Sequence, residues 1–381
     1  MSNSGTSASL RDGDSVERLR VTHVVKGLGP GGAERLIVNQ VTSPASTGVE
    51  YRVITLLSHK DHLVAELHSA GIEVICVGYT MRWPLRVGKL IRTNTDVVHV
   101  HSPLVAGVLR VLRLTGRYDA ALVTTEHNRW PRHHRATRML NRATARIDDA
   151  RIAVSDDVVR SMPESVARDT RVIRHGIGIE RVAAQTSRRE EMRAEFGIDD
   201  ATVAIGIVAN FRPEKAYDTF LSAVEAMKDA ASPVHFVVIG QGPGEEAFRA
   251  AVRDAKIDSR ITITGYREDA RSVMAAFDIF TLTSRHEGLP VSLMEAFALG
   301  LPVVATRAGG IPEAVTNQRE GLLVPIDDVT AVAEAWTVLV NDASLRRQMG
   351  HAAREASADF DAVVSTREIE SLYRRLISGS E

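Results

Sequence analysis

Cys76 is the single cysteine among 381 residues. A lone thiol closes no internal disulfide and builds no cysteine metal site. It lies in the apolar run "IEVICV" and is expected to be a buried bystander. No apolar run approaches the roughly 20 residues that a membrane-crossing helix needs. An excess of one charge is missing too. The 47 basic and 48 acidic residues leave a formal net charge of −1, so nothing draws the whole chain toward nucleic acid. Residues 1–18 lack the apolar stretch of a secretory leader and read as a disordered polar tail, so a cytoplasmic location is expected. The triplet Asp12-Gly13-Asp14 falls in that tail and is read as chance, not as a metal motif.

What is present is a regular alternation. The first half carries the β-branched runs "LRVTHVV", "YRVITLL", "IEVICV", "DVVHVH", "ALVTTEH", "RIAVS" and "RVIRHG". The second half carries "TVAIGIVANF", "VHFVVIG", "ITITG", "DIFTLTS", "PVVAT" and "GLLVP". Helical patterns separate them. Apolar strands alternating with helices predict parallel sheets covered on both faces. Two such series, at this length, predict two doubly wound α/β domains. The boundary falls in the polar stretch between His175 and Thr202, which is expected to hold a helix over Arg188 to Phe196, stopped at Gly197. The stretch "FDAVVSTREIESLYRRLIS" near the C-terminus reads as an amphipathic helix.

The segment "SRHEGLPVSLMEAFALGLPVVATRAGGIPEAV", residues 284–315, carries the most chemistry. It follows the strand "DIFTLTS", so Glu287 stands at a strand's C-terminal end, where open α/β sheets bind ligands. Gly288 permits a tight turn, and Pro290 suits a first helical position because it needs no N–H donor. The helix should stop at Gly300. The amides of residues 288–292 and the helix dipole then form an anion site suited to a diphosphate. Glu295, one turn in, points back toward the same ligand. Two carboxylates there suit two sets of sugar hydroxyls. A second glycine loop, "KGLGPGGAER", holds Gly27, Gly29 and Gly32 at the G-x-G-x-x-G spacing of a dinucleotide turn. An oxidoreductase would need an acid at the end of the second strand. Ser58, His59 and Lys60 stand there instead, with Asp61 too far along.

Glu287-x7-Glu295 within "HEGLPVSLMEAFALGLPVVATRAGGIPE" closely resembles the signature of the family 4 retaining glycosyltransferases. "GPGGAER", "TTEHN", "AVSDDV", "ANFRPEKAYD", "VIGQGP", "ITGYREDA" and "GLLVPIDD" follow family landmarks in order, over nearly the whole chain. The resemblance implies a GT-B fold, two Rossmann-like doubly wound parallel-sheet domains facing across a cleft. It implies an acceptor-side domain over 19–180, joined by the C-terminal helix at about 362–381, and a nucleotide-sugar donor domain over 181–361. It implies that Glu287 and the segment Gly288, Leu289, Pro290 and Val291 hold the donor sugar and phosphates, and that Glu295 holds the ribose. Arg212 and Lys215 would neutralise the diphosphate as it leaves. His127 would stand beside the donor sugar, with Glu126 next to it. Tyr266, Arg267 and Gly240 would meet the nucleotide, Gly31 and Gly32 would form an acceptor and phosphate loop, and Ser155 would sit near the hinge.

Three departures from the family pattern stand out. Asn210 occupies the common Arg position, Ala216 follows Lys215 where Gly is usual, and His175-Gly176-Ile177-Gly178 replaces Asn-Gly-[IV]-Asp. The implied reaction is metal-independent, cofactor-free and configuration-retaining transfer from a UDP-sugar or GDP-sugar donor, which is a substrate. A nucleotide-sugar epimerase of the same fold, or transfer to a small soluble acceptor, remain alternatives. Residues 128–146 carry six arginines, two histidines and a tryptophan with no acid, and residues 80–92 repeat the basic-plus-Trp character. These suit a peripheral position on an anionic membrane, at its inner face, and a polyprenyl-linked or glycan acceptor. No nucleic-acid partner is expected.

Overall fold

The computed structural model describes residues 18–228 and 232–379. The tail and its D-x-D triplet therefore lie outside the described residues, apart from Arg18. All thirteen apolar runs become strands. The first series is β1 (Leu19–Val25), β2 (Val49–Thr55), β3 (Glu73–Cys76), β4 (Val97–Val100), β5 (Ala121–Glu126), β6 (Ala150–Ala153) and β7 (Thr170–Val172). They pair in parallel in the order β3-β2-β1-β4-β5-β6-β7. The second series is β8 (Val203–Val208), β9 (Val234–Ile239), β10 (Ile261–Gly265), β11 (Ile279–Leu282), β12 (Val303–Thr306) and β13 (Gly321–Val324). Its order is β10-β9-β8-β11-β12-β13, again all parallel. β4, β11 and β12 are buried throughout, as strands covered on both faces must be.

In each sheet the order reverses beside its first strand, between β1 and β4 and between β8 and β11. Neighbouring strands there send their connections to opposite faces, which opens a crevice at their C-terminal ends. The glycine loop after β1 and the His101 loop after β4 meet at one crevice. The Arg212–Lys215 loop after β8 and the Glu287 loop after β11 meet at the other.

The C-terminal helix, Ala362–Ser378, packs on the first sheet although it follows the second in sequence. Ile369, Leu372 and Tyr373 join Ile37, Val53 and Val97 in one core. Glu370 Oε1 accepts hydrogen bonds from Tyr51 Oη at 2.9 Å and Ser46 Oγ at 2.6 Å.

Local expectations needed adjustment in several places. The boundary stretch holds helix Ile179–Ala183 as well as Arg189–Glu195, the latter one residue shorter at each end than expected. Pro290 is the residue before the helix Val291–Ala298, not its first member. Its carbonyl accepts the first helical bond, from Met294 N, and its missing N–H costs nothing there either. Cys76 is exposed rather than buried. It ends β3, the outermost strand, where one side has no neighbouring strand to cover it.

Replacing Leu372 by Ala is expected to cost about 3 kcal/mol of folding stability, because it opens a cavity between the C-terminal helix and the first sheet. Urea unfolding measures this; an unchanged midpoint would show that the helix is not part of that core.

Candidate functional site

Three backbones converge around Glu287 and Gly288. Gly310 N donates to Gly288 O at 2.9 Å. A Cβ built on Gly309 would lie 1.9 Å from Glu287 O, and one on Gly310 would lie 2.1 Å from Gly288 O. Gly309 also has φ +55°, a left-handed conformation that favours glycine. From the other domain, the carbonyl oxygen of His127 would lie 2.2 Å from a Cβ on Gly288. The "RAGG" and "HEG" glycines therefore let the two domains and the loop after β12 touch by main chain alone.

Side chains fix the rest of this loop. Lys215 Nζ pairs with Glu287 Oε1 at 2.6 Å, and Ser284 Oγ donates to the same oxygen at 2.6 Å. Thr283 Oγ1, at the end of β11, lies 3.2 Å from the carbonyls of both Lys215 and Ala216. Ala216 takes φ +49°, the conformation for which the family's usual glycine is suited. Arg285 reaches Asp218 at 2.6 Å and Asp327 at 2.7 Å, tying the loop after β11 to the helix Tyr217–Ala226 and to the loop after β13. Arg212 is exposed and makes no side-chain hydrogen bond or ion pair among the described residues. Its charge reaches across to Glu34, whose carboxyl is raised above its ordinary value by burial and drawn back by Lys60 and Arg212.

On the first domain's side, five histidines line up through its interior. His23 Nδ1 lies 2.8 Å from His101 Nε2, and His101 Nδ1 lies 3.1 Å from His127 Nε2. His99 bonds Tyr373 Oη and, at 2.7 Å, Thr125 Oγ1. The His175 ring stands 5.7 Å from that of His127. Burial lowers the pKa of His23 and of His127 to about 3, with His175 as the second cause for both. Burial lowers His175 to about 4 and holds His99 and His101 well below their ordinary value. Among the described residues, His23, His99 and His101 form the one group able to bring ligand atoms within 4.8 Å of one another. Their nitrogens are already committed to each other, to Tyr373, to Thr125 and to His127, except His23 Nε2.

Comparison with known proteins identifies the family and the fold. A model described as "Glycosyl transferases group 1" matches residues 202–342, and one described as "Glycosyltransferase Family 4" matches residues 30–181. The 2-deoxystreptamine N-acetyl-D-glucosaminyltransferase of Streptomyces fradiae is 32% identical over 299 residues, 71% of this chain and 70% of that protein. The chain belongs to the family 4 glycosyltransferases. A second relative, the lipopolysaccharide core biosynthesis glycosyltransferase LpsE of Rhizobium meliloti, is 26% identical and aligns over 88% of this chain and 93% of its own. The fold matches that of Anabaena Alr3699/HepE, solved with UDP-glucose, at a TM-score of 0.82 with 19% identity, covering 94% of this chain and 100% of that one. The two-sheet architecture is thus the GT-B fold.

The other residues singled out from the glycosyltransferase pattern differ in burial and in what their side chains touch. Glu295 is buried and held by Arg271 Nε at 2.7 Å, a partner that no motif announced. Tyr266 is exposed, with its ring edge-on to His62 of the first domain at 5.4 Å. The Arg267 side chain is spent on Asp269 and Glu195, at 2.7 and 2.6 Å, leaving its backbone for any nucleotide. Gly240, at the end of β9, has φ +158° and would drive a Cβ into Ala209 O at 1.9 Å, so it shapes the crevice beside β8. Gly31 precedes the helix Gly32–Val41, and a Cβ on Gly32 would sit 3.3 Å from Val291 across the cleft. A Cβ on Gly27 would instead lie 2.8 Å from the Lys60 side chain. Ser155 is buried and caps the helix Asp156–Arg160. Glu126 turns away: it is 2% exposed, 3.8 Å from His133, and burial raises its pKa to about 7. The histidine row was missed. Its signal was the polar pair in "DVVHVH", which period two puts on one face of a buried strand.

These shifts set a pH profile. Each clustered histidine has a folded pKa below its ordinary 6.5, so the unfolded chain takes up protons that the folded one refuses. Stability is therefore lost as pH falls from 6.5 toward 3. Glu126 acts the other way. Its stabilising contribution is full below 4.5 and lost as pH rises through about 7, and it offsets a single histidine between those values. Urea titrations should show stability falling below pH 6.5 by up to about 1.4 kcal/mol per pH unit for each uncompensated histidine. His175→Gln should flatten the slope, and a flat wild-type profile would contradict burial of the row.

Proposed function

We propose that this glycosyltransferase moves a sugar from a UDP-sugar or GDP-sugar to a glycan or lipid-linked acceptor, with retained anomeric configuration and without a metal ion or cofactor. The observation that carries this reading is the meeting of Lys215, Glu287 and Ser284 beside the start of the helix Val291–Ala298, at the crevice beside β8 and β11. The amides at that helix start favour a diphosphate. Lys215, parked on Glu287, and the unpaired Arg212 would take up the charge that develops as the nucleoside diphosphate departs. Glu287 would then accept from hydroxyls of the sugar, and Glu295, steadied by Arg271, from those of the ribose. Tyr266, the Arg267 backbone and Gly240 border the place for the base, while Gly31 and Gly32 face the helix start at Val291 from the other domain, as a loop for phosphate and acceptor. The Anabaena protein of like fold is solved with UDP-glucose, which favours UDP.

Within a retaining reaction, the carboxylates disfavour a covalent double displacement. Glu126 is buried away from the cleft and Glu287 is committed to Lys215 and Ser284, so neither is placed as a nucleophile on the far face of the sugar. Front-face attack fits. The C1–O bond to the diphosphate breaks as the acceptor oxygen bonds C1, and a phosphate oxygen takes the acceptor proton. Glu287→Ala and Lys215→Ala are each expected to lower kcat by roughly a hundredfold or more in a protein that still folds cooperatively. Full activity in Glu287→Ala, or an inverted product anomer, would refute the assignment. Thermal shifts against a panel of nucleotide sugars identify the donor.

The acceptor reading rests on one face of the first domain. Helices Trp83–Thr93, Pro103–Leu114 and Arg135–Thr144 pack in that order. Trp83 and Trp130 are buried and do not serve as interfacial aromatics: Trp83 belongs to the core with Val87 and Leu109, and Trp130 to the core with Val158 and Met162. Met81, Leu85, Val111, Leu114 and Met139 are exposed instead, among the exposed Arg86, Lys89, Arg135 and Arg142. Apolar side chains inside a basic field suit an anionic bilayer surface. No helix among the described residues is long and apolar enough to cross a membrane. The protein should float with vesicles rich in anionic lipid and lose this when Arg86, Lys89, Arg135 and Arg142 become Ala. Flotation unchanged by those substitutions would rule out this face as the contact, and a wild-type protein that does not float would sink the membrane reading and favour a small soluble acceptor.

A further inference from the structure

The histidine row has a direction, and the direction decides what His127 offers to the cleft. Two links join it: His23 Nδ1 to His101 Nε2 at 2.8 Å, and His101 Nδ1 to His127 Nε2 at 3.1 Å. Each ring is uncharged in this interior, so each carries one N–H and one bare nitrogen. Each link then holds one proton, and choosing the proton of one ring sets the other two.

Two arrangements satisfy both links. In the first, His23 donates from Nδ1 to His101, His101 donates from Nδ1 to His127, and His127 keeps its own proton on Nδ1. In the second every proton is reversed, and His127 presents a bare Nδ1. The far end of the row separates them. His23 Nε2 is buried and has no hydrogen-bond partner among the described residues. In the first arrangement it is an unused lone pair; in the second it is an N–H donor sealed in the core with nothing to accept it. Orphaned buried N–H groups are the rarer and costlier defect. Neighbouring rings follow the same economy. His175 faces the Ile173 carbonyl with Nδ1 at 3.2 Å, which makes that nitrogen its donor and leaves the unpartnered Nε2 as a lone pair. Tyr373 Oη accepts from Gln40 Nε2 at 3.1 Å and so donates to His99 Nδ1, which turns His99 Nε2–H toward Thr125.

We propose that His101 and His23 are positioning residues that lock His127 in its Nδ1–H tautomer, so that His127 meets the donor sugar as a hydrogen-bond donor to a sugar oxygen. Placing His127 beside the sugar rests on the function proposed above; the tautomer itself does not. His127 Nδ1 makes no hydrogen bond among the described residues, and the ring is the partly exposed end of the row. A fixed N–H there selects a lone pair on a sugar hydroxyl oxygen and needs no proton rearrangement as the donor binds.

The test is a long-range proton–nitrogen correlation spectrum of the full, histidine-labelled protein at neutral pH, with the His127 signals assigned by their loss in His127→Ala. The expected result is the neutral Nδ1–H tautomer for His127 in the wild type. Finding the Nε2–H tautomer there overturns the proposal outright. His101→Phe should move His127 toward Nε2–H, and His101→Asn, whose amide can donate from the place of Nδ1, should restore the wild-type form. His23→Leu provides the same readout should His101→Phe fail to fold. Unchanged Nδ1–H in the folded His101→Phe or His23→Leu protein overturns the positioning role. In turnover assays His101→Phe should lower kcat roughly tenfold with little change in donor KM, and His101→Asn should recover most of it. The spectra are read on the free protein, so they separate failure of the tautomer lock from failure of the transferase reading, which Glu287→Ala decides.

Discussion

The contact on which the rest depends is the crossing of main chains at Glu287–Gly288. Gly309 and Gly310 press on it from the loop after β12, and the His127 carbonyl presses on it from the other domain. No side chain fits between any of these pairs. The helix Val291–Ala298 therefore begins at a place set by backbone contact rather than by flexible side chains. Lys215, Ser284, Thr283 and Arg285 then secure the loop sideways. A group meant to stabilise a departing diphosphate gains from this rigidity, because fixed charges and dipoles need not reorganise during the reaction.

The opposite wall of the cleft is built differently. There, polar rings occupy strand positions that both sheet faces bury. His23 lies on β1, His99 on β4, and His101 and His127 follow the ends of β4 and β5. Such a row is costly unless its members satisfy each other. It also makes the first domain depend on the chain's end: Tyr373, on the C-terminal helix, bonds both His99 and Gln40. The helix that closes the first domain's core thus also supports the interior from which His127 projects.

Both fold and site were legible wherever a local pattern had one physical meaning. Thirteen apolar runs became thirteen strands, because parallel strands buried on both faces leave a continuous hydrophobic signal. The spacing from Glu287 to Glu295, the Gly300 helix stop and the glycine turn at Gly31–Gly32 were readable for the same reason. Legibility failed where a side chain's surroundings come from distant segments. Trp83 and Trp130 looked interfacial beside their arginines but turn inward, and Cys76 looked buried but ends an edge strand. Glu126 and His127 are neighbours in sequence and face opposite ways, as adjacent residues at a strand end do.

The amino-acid sequence by itself determined the alternation of strands and helices, the two-domain division into parallel sheets and the family, since periodicity and motif spacing are local properties. Tertiary structure alone decided which charges remain available. Arg267 is consumed by Glu195 and Asp269, Glu295 is held by Arg271, and Arg212 is left unpaired among the described residues. It also decided that three histidines separated by 78 and 26 positions, His23, His101 and His127, form one hydrogen-bonded line with the rings of His99 and His175 beside it. Strand order brings β1, β4 and β5 side by side, and no local pattern in the chain records which strands become neighbours.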